Sequence, residues 1–96
     1  MADQTLIDTL RAGGHLNADH LSRWQDAAGL MAVLDAIGRE GVSAVVKIDG
    51  ERARESVYTV VISGPLLGDA FFRKDGSDLV ALLREAVDFY RAEVWQ

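Results

Sequence analysis

Two periods run through this chain, one of three to four residues and one of two, and they meet near residue 41. In the first half apolar residues recur as one face of a helix requires. Leu6, Ile7 and Leu10 share such a face, which predicts a short helix over 3–12 that Gly13-Gly14 stops. His15-Leu16 lead to a second helix expected over 18–39, with Asn17 as N-cap and Asp19 near its positive end. Leu21, Trp24, Ala28, Met31, Leu34 and Ile37 make one stripe there, widened by Ala27, Leu30 and Val33. Gly29 falls inside this run. An interior glycine costs about 1 kcal/mol relative to alanine, so it marks a kink, a break into two helices, or a close helix contact. Gly38 and Gly41 end the helical half.

Beyond Gly41 the pattern alternates. A strand over 42–49 places Val42, Ala44, Val46 and Ile48 on one face and Ser43, Val45, Lys47 and Asp49 on the other. A charged turn over 50–54 returns the chain into a second strand over 55–63. There Tyr58, Val60 and Ile62 oppose Val57, Thr59 and Val61. Both segments are rich in β-branched residues. Neither has a wholly polar face, as expected of a sheet covered by helices on one side and partly occluded on the other. Gly64-Pro65 turns the chain, a short third strand follows over 70–73, and Asp75-Gly76 turns it again. Ser77 is the expected N-cap of a last helix over 78–94. That helix carries two overlapping stripes, Leu79/Leu82/Leu83/Ala86/Phe89 and Val80/Leu83/Val87/Tyr90/Val94. One buried face needs only one stripe, so the helix is expected to meet the sheet and either the second helix or another chain. The fold class is α+β: a single domain over 1–96, with N-terminal helices, a small antiparallel sheet of two or three strands, and a C-terminal helix packed on the sheet.

Composition narrows the options. A chain of 96 residues makes one domain and buries roughly 60–65% of its unfolded surface. With no cysteine it has no disulfide, thiolate metal site or thiol nucleophile, which fits a reducing compartment. Met1-Ala2-Asp3-Gln4 lacks a basic segment and Asp8 interrupts the first apolar residues, so no signal peptide is expected. The uncharged run 27–34 is far short of the ~20 apolar residues of a membrane span. We therefore expect a cytoplasmic protein. The net charge of −5 is dispersed over both halves, which argues against direct nucleic-acid binding through clustered cations.

A search for chemistry finds no GxxxxGK[ST] phosphate loop, no GxGxxG after a strand and no GxSxG elbow. Gly64-Pro65-Leu66-Leu67-Gly68 offers no nucleophile and reads as a turn. His15 and His20 stand five residues apart across the expected N-cap and do not share a helix face. With Asp19 and Asp26 they could form a carboxylate–imidazole site; otherwise they are exposed or capping residues. No catalytic residue, metal ligand or cofactor is assigned. In the loop over 49–55, Arg52 and Arg54 are either a solvated mixed-charge turn or forks for a partner's carboxylates or phosphates, with Arg73 and Lys74 adding to the patch. Trp24, Phe71, Phe72, Phe89 and Tyr90 read as core. Trp95 is either a lid on that core or an interface anchor.

So small a sheet has free edges, and free edges dock partners. The chain is thus read as a non-enzymatic protein that occupies a protein partner's surface through Arg52, Arg54, Arg73, Lys74, Tyr90, Val94 and Trp95. The alternative is a homodimeric structural or regulatory subunit using the last helix or the sheet edge; a third option is a small enzyme using His15 and His20. The helix–hairpin–helix organisation, carried by 42–48, 58–63 and the helix from Asp78, resembles small phage- or prophage-encoded accessory proteins of the anti-CRISPR type. The resemblance spans about half the chain. It implies an inhibitor that docks onto a host nucleoprotein complex through acidic residues that compete with nucleic acid, and it carries over no functional residue.

Overall fold

The alternating half folds as a three-stranded antiparallel sheet in the order β1-β2-β3. This computed structural model describes residues 4–17 and 22–95, and of Trp24 only the backbone. β1 (Ser43–Ile48) and β2 (Tyr58–Ser63) pair from Ser43↔Ser63 to Ile48↔Tyr58 without a bulge. β3 (Phe72–Gly76) pairs with β2 from Ile62↔Phe72 to Tyr58↔Gly76. The strand faces are those the alternation predicts: Val60 and Ile62 lie in the core, with Ala44, Val46 and Phe72 packed against them.

The boundaries differ for local reasons. β2 starts at Tyr58, not 55, because Arg54–Ser56 coil into a 3-10 turn closed by the Ser56 N–H on the Ala53 carbonyl at 2.9 Å. β3 begins two residues later than expected and takes in Asp75-Gly76, which were read as a turn. Its register sets Phe72 on the helix side, where its ring packs 5.7 Å from that of Phe89, and sets Asp75 opposite Thr59. Phe71, read as core, is consequently exposed. The last helix, α3 (Leu79–Glu93), is capped by Asp78 rather than Ser77. The Asp78 carboxylate accepts the Ala81 N–H at 3.1 Å and is held by Arg23 at 2.8 Å.

α1 (Gln4–Ala12) ends as its glycines predict. Gly14 takes φ +80°, the Gly14 N–H bonds the Arg11 carbonyl, and the His15 N–H reaches back to Leu10. None of its residues is buried. α2 (Trp24–Arg39) is shorter than the expected second helix, because Arg23 lies in a turn just before it. The expected start at 18–21 lies outside the described residues. α2 is continuous through Gly29, where an added Cβ would meet nothing within 4 Å. Neither the break nor the close contact expected there is present. Its buried face is also rotated from the expected stripe. Leu34 and Ile37 are buried and Leu30 and Val33 partly so, while Ala28 and Met31 are exposed. The rotation follows from packing on two neighbours, since α2 meets both α3 and β1 and buries the face between them.

α3 buries Leu82, Leu83, Ala86, Val87 and Tyr90. Its two stripes meet the sheet and α2, which uses them within the chain. The result is two layers around one core, in which Ile37, Val60, Ile62, Leu83 and Tyr90 are fully buried. Gly64 turns the corner after β2 at φ +149°, where a Cβ would sit 3.0 Å from the Val42 Cα. This close approach ties the start of β1 to the end of β2.

Candidate functional site

Covering one face of the sheet with α2 and α3 leaves an edge open at β1. The Asp49 N–H donates to the Val57 carbonyl at 2.7 Å. By the alternation of an antiparallel ladder, the odd-numbered residues of β1 therefore bond to β2, and the N–H and C=O groups of Ala44, Val46 and Ile48 point away from it. Among the described residues no strand takes them up. Beside this edge runs a groove of about 590 Å³ between β1 and α2. Val42, Ala44 and Val46 form one wall, and Met31, Leu34 and Asp35 are on the other. Its rim is electrically balanced, since Arg39 pairs with Asp35 at 2.8 Å; on the open face of β1 Lys47 lies 3.5 Å from Asp49. Ile48, 67% exposed, and Val45, 48% exposed, add apolar surface to the strand.

The two edges of the sheet differ in kind. β3 carries Arg73, Lys74 and Asp75 in succession, a charged edge of the type that deters pairing. β1 has one charge in six residues and no proline.

The sequence-predicted patch does not form one surface. Arg52 is turned inward over the open face of the sheet. Its Nη2 donates to the Thr59 hydroxyl at 2.8 Å, its Nε to Asp49 at 3.3 Å, and its Nη1 lies 3.4 Å from Asp75. Thr59, itself buried, donates its hydroxyl to Asp75. This closed network occupies the guanidinium fork that was expected to face a partner. Arg54 is exposed in the 3-10 turn, and Arg73 flanks Asp75 at 4.0 Å. Lys74 lies on the helix side and bonds Glu85 of α3 at 2.7 Å. The charges of the loop thus hold the loop to the sheet.

At the other end of the helix layer, Tyr90 is in the core and Trp95 folds back over it. The two rings make an edge contact at 5.0 Å. The Tyr90 hydroxyl donates to Glu40 Oε1 at 2.6 Å, and Trp95 Nε1 donates to both Glu40 oxygens, at 2.9 and 2.7 Å. Of the two options for Trp95 the structure takes the lid. Val94 is partly buried beside it. Glu40 thereby ties the end of α2 to the end of α3. Sequence reasoning passed over both Glu40 and Thr59. Thr59 is legible as a lone hydroxyl between valines on one strand face. Glu40 has no local signal, since its partners lie 50 and 55 residues away.

His15 is exposed, and His20 lies outside the described residues. Among the described residues no three His, Cys, Asp or Glu side chains converge to hold a metal, and no helix is long and apolar enough to cross a membrane. Comparison with protein-family models, with curated proteins and with solved structures finds no match.

Two titrations test this geometry. The Thr59 hydroxyl foremost, then Arg73 and Arg52 against the opposing effect of partial burial, holds the Asp75 carboxyl below its usual range. A carboxyl lowered in the folded state stabilises the fold above its unfolded pKa, and that stability is lost as pH falls through the folded value. In Thr59→Val the Asp75 midpoint, followed by carboxyl carbon NMR, is expected to rise towards the ordinary value, and acidification is expected to cost the variant less stability. Tyr90 behaves oppositely. Burial first, then Glu40, pushes its hydroxyl up to about 12 from 10.0. Its contribution is complete below the unfolded value and is lost as pH rises through about 12. Tyr90→Phe is expected to cost about 1–2 kcal/mol in urea unfolding at neutral pH and to flatten the alkaline loss.

Proposed function

We propose that this chain is a small cytoplasmic protein-binding module that acts by occupying a protein surface rather than by chemistry. The observation that carries this is the open, apolar edge of β1 beside its groove. An extended segment laid along β1 would take up the backbone groups of Ala44, Val46 and Ile48 as a fourth strand. Its alternate side chains would enter the groove between Val46 and Met31. In this mode of recognition the main chain supplies affinity and the groove supplies selectivity. The net charge of −5 supports one form of such occupancy, an inhibitor that covers a basic, nucleic-acid-binding surface of a host defence complex. The same edge also favours a second reading, a homodimeric subunit.

Ala44→Pro tests the module reading. The Ala44 N–H points away from β2, so proline there removes a bond to a docked strand and none from the β1–β2 ladder. Association with the protein's partner, measured by titration calorimetry after affinity capture, is expected to weaken about tenfold or more, with circular dichroism unchanged. Unchanged affinity in a folded Ala44→Pro protein would count against strand addition at β1.

A further inference from the structure

The occupant of the β1 edge is identifiable from the surface itself. We propose that the flank formed by β1 and α2 is a two-fold interface with a second copy of this chain, joining two sheets into one of six strands. This rests on the strand-addition reading above and names the strand that is added.

The first support is the spacing of the open backbone groups. Residues 44, 46 and 48 are symmetric about Val46. A two-fold axis through Val46 pairs that residue with its own copy, and pairs Ala44 with Ile48 of the other chain in both directions. Each such pair exchanges two N–H···O=C bonds, as hydrogen-bonded pairs of an antiparallel ladder do. No residue of β1 has to move off the register it already holds with β2.

Shape is the second support. In that register Ile48 of one copy lies beside Ala44 of the other, on the helix side of the joined sheet. Ile48 is the most exposed large apolar side chain described, and Ala44 is the small residue in the wall of the groove. A projecting side chain thus meets a recess, twice. On the outer surface of α2, Ala28 and Ala32 are exposed and small, which lets the helix of a second copy approach closely.

Charge is the third, and it is compatible with a second copy. Copies of a chain with a net charge of −5 repel one another in general. At the groove itself this repulsion is small, because Asp35 is balanced by Arg39. A two-fold axis at Val46 runs the two α2 helices antiparallel and brings them closest near Ala28 and Ala32, so that Asp35 and Arg39 of each copy stay paired with each other at the rim.

Light scattering across a dilution series, followed by cross-linking, tests the interface. The wild-type chain is expected to show twice the chain mass at high concentration, and Ala44→Pro the mass of one chain. Residues 45 and 47 of opposite copies form a non-hydrogen-bonded pair with Cα atoms about 4.5 Å apart, within disulfide range. The chain has no cysteine of its own. Val45→Cys combined with Lys47→Cys is therefore expected to give a covalent dimer under mild oxidation, and Val45→Cys alone a much smaller yield. A single chain mass at every concentration, a dimer that survives Ala44→Pro, or equal cross-linking by the single variant would each overturn the second-copy proposal. A wild-type monomer whose binding to a foreign partner is lost in Ala44→Pro overturns this proposal alone and leaves strand addition standing.

Discussion

One contact layer decides what the rest of this molecule can do: the packing of α2 and α3 on a single face of a three-stranded sheet. Ile37, Leu83 and Tyr90 meet Val60 and Ile62 there, all fully buried. Burying side chains of this size contributes about 1.5–3 kcal/mol each, and the chain has no disulfide to add to it. Two helices cover one face and no more. The other face and the flank of β1 are left to loops, charges and whatever binds.

The two uncovered regions are handled differently. Over the open face, the loop after β1 folds back and Arg52 joins Thr59, Asp75 and Asp49 in a network that satisfies a buried hydroxyl. Groups this fully engaged with each other hold structure in place, and breaking one bond leaves the others short of a partner. Nothing comparable covers β1 among the described residues. Its outward backbone groups, the groove under α2 and the exposed Ile48 lie on one continuous flank. A flat apolar edge left bare invites pairing with another strand.

Much of the fold was legible because it depends on local period. β-branched alternation over 42–49 marked both the strand and its core-facing side, and glycines with positive φ marked the ends of α1 and of the helical half. What was not legible depends on neighbours far along the chain. The buried face of α2 is rotated because α3 and β1 approach it together, which no helical wheel of α2 alone contains. β3 slid by two residues because Thr59 and Ile62 of β2 choose its register. Arg52 was assigned to a partner because its own partners, Thr59 and Asp75, reach it only through the loop's return over the sheet. Trp95 has two roles open to it in the sequence because Glu40, which holds it, lies 55 residues away. The open edge at β1 was expected from the size of the sheet, but the asymmetry between a charged β3 and a bare β1 emerged only from the strand order.

If β1 is an open edge that a second copy covers, residue-resolved amide hydrogen exchange as a function of protein concentration shows it directly. In dilute solution Val45 and Lys47 should be protected while Ala44, Val46 and Ile48 exchange fast, and these three should gain protection as concentration rises. Protection of Ala44, Val46 and Ile48 even in the most dilute sample, or fast exchange at every concentration, would contradict it.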